Sequence, residues 1–144
     1  MKSVAFNKKA KFDFDIKETL DAGLVLQGRE VKAAKEGNIS MAGSHVQITP
    51  RGAFLLNTHI GPYKYAPNDD YDPTHSRKLL LNKSEINSLL GKEKGMTIVP
   101  LEIYITGRGL VKVRIGVGRG RKKQDKREYI KTRDTKREIK NSIG

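Results

Sequence analysis

The sequence predicts a mainly β protein: a small antiparallel barrel of the oligonucleotide/oligosaccharide-binding (OB) kind. It has about six strands, two or three short helices and a basic C-terminal tail. Three observations predict this. Apolar residues recur at every second position in several separate runs, the period of a half-buried strand. Two pairs of these runs are joined by turn-forming residues, as in hairpins. The stretch from Arg119 to Gly144 contains no Phe, Leu, Val or Trp, so it cannot build a core. A chain of 144 residues is one domain's worth. The division expected is a barrel over residues 1–118 and a tail over 119–144. Composition alone also allows a sandwich or an SH3-like barrel.

The first alternating run places Phe12, Phe14 and Ile16 opposite Lys11, Asp13, Asp15 and Lys17. The same parity returns at Leu20, Ala22, Leu24 and Leu26, which suits one long strand with a bend or bulge at Gly23. A short helix over Gly28–Lys35 follows, stopped at Gly37. Val46 and Ile48 start the next strand, and Phe54 and Leu56 the one after. The turn chemistry of Thr49-Pro-Arg-Gly-Ala53 makes them a hairpin. Gly61 to Pro73 is a long Pro/Tyr/Asp loop, of a length often tied to function or mobility. Ser84–Lys92 reads as a second helix with Ile86, Leu89 and Leu90 on one face. Asn82 with Glu85 forms a capping box at its start.

Val99, Leu101, Ile103 and Ile105 share one parity, and Val111, Val113, Ile115 and Val117 another; Gly107-Arg-Gly109 joins the two runs as a hairpin. Lys112 and Arg114 project from the face opposite the valines, giving the last strand a basic outer side. Gly116, Gly118 and Gly120 imitate a glycine-rich loop. With no apolar helix after them, they read as a hinge between barrel and tail rather than a dinucleotide fingerprint.

Charge points to the partner. The chain carries +13 at neutral pH with a pI near 10.0. The tail holds eleven basic and four acidic residues, more than half of that excess. A polyanion is the partner this composition suits. From Arg121 to Ile143 there is no Gly or Pro, and Lys126, Arg133, Arg137 and Lys140 fall within about 40° of one helical line. Ile130 and Ile139 point apart, so no apolar stripe docks this helix onto the barrel. The tail is therefore expected to be disordered when free and helical on RNA.

Other classes lack their residues. There are no cysteines, and His45, His59 and His75 lack metal-ligand spacing. Asp69, Asp70 and Asp72 could hold a hard cation, but their spacing fits no calcium loop. No phosphate-cradling GxxxxGK[ST], HExxH or GxSxG is present, and no nucleophile, base and orienting group assemble. No cofactor, no metal and no enzymatic activity are expected. No apolar run is long enough to span a membrane, and the N-terminus does not read as a secretory signal, so a cytoplasmic monomer is expected.

Several segments occur together in order: Asn7-Lys-Lys-Ala10, Asp21-Ala-Gly23, Gly28-Arg-Glu-Val-Lys32, Asp72-Pro73 followed by Arg77-Lys-Leu-Leu-Leu81, Val113-Arg-Ile-Gly116 and Asp125-Lys-Arg127. With this set the chain resembles the bacterial small protein B (SsrA-binding protein) family, from about Phe6 to the C-terminus. The resemblance implies an OB-type barrel that binds the transfer-RNA-like part of transfer-messenger RNA at its elbow. It also implies delivery of that RNA to stalled ribosomes in trans-translation, with the tail in the decoding centre and empty messenger channel.

By position it implies Asn7, Asp21 and Leu80 at the RNA interface, with Lys8, Lys9 and Lys32 as phosphate contacts. Asp21 stands where many members have Glu and so reaches less far. For Leu80 an ordinary core position is the alternative. In the tail, Gly120, Arg121, Lys122, Asp125, Lys126 and Arg127 match the family's basic segments, and Gln124 stands where some relatives have His. The partners implied are transfer-messenger RNA and the small-subunit RNA of the ribosome. The alternative reading is another basic OB-fold RNA-binding or ribosomal protein, which could stack bases on Tyr63, Tyr65 and Tyr71. More distant is a metal-dependent nuclease using the loop aspartates.

Overall fold

A computed structural model describes residues 2–65, 70–122 and 127. Nine strands and three short helices follow one another in it: β1 (Lys2–Phe6), α1 (Ala10–Asp13), β2 (Phe14–Leu24), α2 (Gly28–Lys35), β3 (Ile39–Ser40), β4 (His45–Thr49), β5 (Gly52–Leu56), β6 (His59–Ile60), β7 (Arg77–Leu80), α3 (Lys83–Lys92), β8 (Thr97–Ile105) and β9 (Val111–Gly120). Seven strands form one antiparallel sheet in the order β1-β8-β9-β2-β7-β5-β4, and β3 pairs with β6 beside it. The sheet curls until β4 packs against β8, as a small barrel requires. Val113, Ile115, Val117, Ile103, Ala22, Leu55 and Leu79 fill its interior, and Leu89 of α3 closes one end.

Both helices expected from the sequence form. The α2 start is a capping box between Gln27 and Glu30. In α3 the Asn82 side chain accepts from the Glu85 N–H at 2.8 Å, and Glu85 reaches back to the Asn82 N–H at 3.0 Å. Both hairpins form as well. The β8–β9 turn closes through Gly109 at φ 84°, a left-handed conformation that costs glycine little.

Five features differ from the sequence reading. Phe12 is not in the long strand. The Phe12 and Asp13 N–H groups donate to the Lys9 carbonyl, forming the helical turn α1 that buries Ala10, and β2 begins at Phe14. The irregularity in β2 falls between Ile16 and Glu18, while Gly23 stays in register. On β5 the inward residues are Ala53 and Leu55, with Phe54 and Leu56 half-buried. The register explains this: buried Val46 and Ile48 lie directly opposite Leu55 and Ala53, and opposed residues share a face. On β8 a register shift between Pro100 and Glu102 breaks the parity, so Leu101 is only partly buried.

The glycine hinge is the fifth correction. Gly116 and Gly118 lie inside β9, buried and paired with β2. A Cβ on Gly118 would overlap the Asp15 carbonyl oxygen, and one on Gly116 would press on Leu101. These glycines allow two backbones to approach closely. The strand runs through Gly120, and the Arg121 N–H then donates to the Asp13 carbonyl at 2.7 Å.

Candidate nucleic-acid interface

Pleating sends alternate residues of each strand outward, and antiparallel register lines them up across the sheet. One outward row crosses four strands: Phe6 opposes Glu102, Glu102 opposes Arg114, and Arg114 opposes Asp21. The next row runs Ser3, Tyr104, Lys112, Gly23 and Leu80. Beyond it Lys78 opposes Phe54. The outer face thus carries the basic side expected for Lys112 and Arg114, with two apolar residues, Phe6 and Leu80, standing exposed on it.

Leu80 is 56% exposed, and Leu79 is the core leucine of the run. Gly23 is what lets Leu80 lie flat across β2, since a Cβ there would approach Leu80 Cδ1 to 3.2 Å. Asp21 lies on the same face. Its carboxylate accepts from Arg114 Nε at 3.3 Å, while Arg114 Nη1 donates to Glu102 at 2.5 Å and Ser3 Oγ donates to the other Glu102 oxygen at 2.7 Å. Partial burial weakens the Arg114 cation, but Glu102 and Asp21 outweigh that and raise its pKa. Burial, with Asp21 beside it, pushes the Tyr104 hydroxyl up. Lys78 and Lys112 make no ion pair among the described residues, so their charges face outward.

Asn7 sits just past β1, beside Phe6 at the far end of the row that Asp21 closes on β2. Its N–H donates to the Leu101 carbonyl at 2.8 Å and its side-chain amide to the Pro100 carbonyl at 2.9 Å. Asn7 therefore fixes the end of β1 against the irregular part of β8. Lys8 and Lys9 follow it, both exposed. All three line a cavity of about 550 Å³, together with Phe6, Met41 and Gly43.

Lys32 is exposed on α2, with its ammonium 5.6 Å from the centre of the Tyr63 ring. The helix is fastened from the inside. Glu30, next but one to Lys32, is 1% exposed and faces Arg77, which is 0% exposed at its side chain. Arg77 Nε and Nη2 both donate to Glu30 Oε2, at 2.9 and 2.7 Å. Its remaining hydrogens reach the carbonyls of Thr58, His75 and Pro73. The Tyr71 hydroxyl donates to Glu30 at 3.0 Å, and His75 Nε2 lies 2.8 Å from the same carboxylate. Burial pushes the Glu30 carboxyl up, but the Gln27 N–H and the Arg77 guanidinium together hold it below the usual carboxylate range. Burial and the Glu30 charge raise the Tyr71 hydroxyl.

Sequence reading missed this buried pair. Its members stand in the Gly28–Lys32 and Arg77–Leu81 segments, where nothing in the spacing signals that the two charges meet in the interior. Phe6 and Lys78 on the outer face were missed as well; the outward parity of each strand is the signal that finds them.

In the tail segment Gly120 ends β9, and the Arg121 side chain donates to the Lys11 carbonyl at 3.0 Å. Lys122 and Arg127 are exposed. Asp125, Lys126, Arg133, Arg137 and Lys140 lie outside the described residues, as do Gln124 and Asp69. The Asp72 carboxylate accepts from the Thr74 N–H and hydroxyl, a turn cap that lowers its pKa. Among the described residues no three His, Asp or Glu side chains group to hold a metal ion. No described helix is long and apolar enough to cross a membrane.

Chemically, this arrangement offers a wide, mixed surface with cations, a few carboxylates and exposed apolar side chains. The chain is similar to known proteins over nearly its whole length. A family described as SmpB protein matches residues 4–144. The chain is 47% identical over 140 residues to the SsrA-binding protein of Geobacillus kaustophilus, covering 96% of this chain and 90% of that one. It is 47% identical over 143 residues to the SsrA-binding protein of Lactobacillus acidophilus, covering 98% and 94%. A solved chain described as "tmRNA-SmpB: a journey to the center of the bacterial ribosome" is similar at a TM-score of 0.67 and 39% identity, over 87% of this chain and 92% of that one.

Proposed function

The chain belongs to the SmpB protein family, and from that premise we propose that it binds the transfer-RNA-like part of transfer-messenger RNA and delivers it to stalled ribosomes for trans-translation. The observation that carries this reading is the likeness to the SsrA-binding proteins, which spans nearly the whole chain and includes the tail. The outer sheet face supports it. Leu80 and Asp21, singled out from motifs far apart in sequence, stand on one face in neighbouring rows: Leu80 of β7 opposes Gly23 of β2, and Asp21 lies two residues back along β2 opposite Arg114. A folded RNA elbow is recognised by its shape and backbone, which calls for a broad, partly basic surface rather than a deep pocket.

The division of labour is as follows. The sheet face, with Asp21, Leu80, Lys112 and Arg114, meets the RNA. Asn7 positions the β1 end, so that Lys8 and Lys9 can reach phosphates, and Lys32 does the same from α2. The tail, with Gly120, Arg121, Lys122, Asp125, Lys126, Arg127, Arg133, Arg137 and Lys140, enters the decoding centre and the empty messenger channel. Its basic stripe becomes helical against small-subunit RNA. The protein works by binding alone, without catalysis, in the cytoplasm.

Purifying the chain from a bacterial lysate and sequencing the RNA it retains tests the first half. Transfer-messenger RNA should be strongly enriched; a featureless mixture of RNAs would count against the proposal. For the tail, Lys126→Ala combined with Arg127→Ala should spare binding to free transfer-messenger RNA but stop rescue. An equal loss of both would show that barrel and tail do not act separately.

A further inference from the structure

The surface made by α2 and the loop after β6 has a chemistry unlike that of the sheet face. Three cations there sit over aromatic rings: Arg29 at 4.7 Å from the Tyr71 centroid, Lys32 at 5.6 Å from Tyr63, and Lys64 at 4.8 Å from Tyr65. Tyr63 and Tyr65 pack edge to face, with centroids 5.3 Å apart. Tyr65 is 71% exposed, more than any other large apolar side chain among the described residues.

The scaffold explains why this surface is preformed. The loop root is tied to the end of α2, with the Gly61 N–H donating to the Asn38 carbonyl at 3.0 Å and the Asn38 amide to the Pro62 carbonyl at 3.4 Å. The α2 helix is itself held by the buried Glu30–Arg77 pair. That pair also sets the sign of the surface. Glu30 is the acid within α2, and it points inward, while Lys32 and Lys35 are exposed. A helix of mixed composition thereby shows solvent a cationic side next to two tyrosines packed edge to face.

We propose that this surface binds unpaired RNA, with bases stacking on Tyr65 and Tyr63 and phosphates meeting Lys32 and Lys64. Every base has a π-face, so stacking suits a single strand whatever its sequence, and alternating cations match the backbone charges. A duplex hides its base faces and offers only its phosphates. The proposal rests on the RNA-binding reading above and extends it to a second subsite, distinct from the Asp21–Leu80 rows.

The test measures the full chain against octauridylate, against an RNA duplex of eight base pairs and against transfer-messenger RNA. The unchanged protein should prefer octauridylate to the duplex. Tyr65→Ala should weaken octauridylate binding at least about fivefold, Tyr65→Phe should retain it, and Lys64→Gln should reduce the salt slope by about 0.7. Tyr65 is exposed, so these variants keep their fold. Equal affinity of Tyr65→Ala and the unchanged protein for octauridylate would overturn the subsite. So would equal affinity of the unchanged protein for single strand and duplex. Failure of the unchanged protein to bind transfer-messenger RNA would instead overturn the function proposed above.

Discussion

Two acid–arginine pairs in this molecule use the same chemistry for opposite ends. Glu30 and Arg77 are sealed inside, at 1% and 0% side-chain exposure, with the remaining guanidinium hydrogens on carbonyls. Asp21 and Arg114 lie on the outer sheet face, at 43% and 35%. The buried pair ties α2, the loop before β7 and β7 itself into one unit. The exposed pair stays open to solvent, with Arg114 held also by Glu102, so its cation stands where a polyanion can reach it. On the proposed reading, burial rather than residue type separates a structural charge from a recognition charge.

Breaking the buried pair should have the largest effect. Glu30→Gln leaves the Arg77 cation buried without its counter-charge, at a cost of roughly 3–5 kcal/mol in chemical denaturation. If Glu30→Gln cost no more than a surface change, the inner pair would not be what fastens α2. The same carboxylate also gives a pH signature. Its folded pKa lies below the ordinary value of 4.5, so its contribution to stability is complete above that value and is lost as pH falls through the lower, folded one. Denaturation midpoints followed by circular dichroism should hold down to about pH 5 and fall below about pH 4.5. The Glu30→Gln chain should lack that component of the fall.

A smaller effect is expected where β9 passes β2. Gly118→Ala sets a Cβ against the Asp15 carbonyl and should cost roughly 1–3 kcal/mol. Gly120→Ala, with nothing within 4 Å of its Cβ, should be nearly neutral. Similar costs at both positions would revive the hinge that the sequence suggests. The smallest effect belongs to the exposed pair: Asp21→Asn should change stability by less than about 1 kcal/mol. A loss comparable to that of Glu30→Gln would erase the contrast.

How far the sequence discloses all this depends on where charge sits. The two hairpins and both longer helices were legible because apolar period and turn or cap residues agree there. β7 was not, because its inward positions are Arg77 and Leu79, and an arginine in the core defeats a hydrophobic alternation. The glycines of β9 read as a hinge because close backbone contact leaves no apolar signature. Asp21 and Leu80 were singled out only through their motifs. That Leu80 faces out and Leu79 in is a matter of register against Gly23 and Leu24, which a run of three leucines cannot display. Asn7 was singled out the same way, and its side-chain bond to β8 is visible only in three dimensions.

The central claim is that the outer sheet face recognises RNA while the buried pair holds the fold and touches no RNA itself. It is tested most directly by measuring the equilibrium affinity of Leu80→Glu for transfer-messenger RNA alongside its thermal midpoint. A carboxylate on that exposed position should weaken binding about tenfold or more, through lost apolar contact and repulsion from phosphate, with the midpoint nearly unchanged. Unchanged affinity in a folded Leu80→Glu chain would contradict the account.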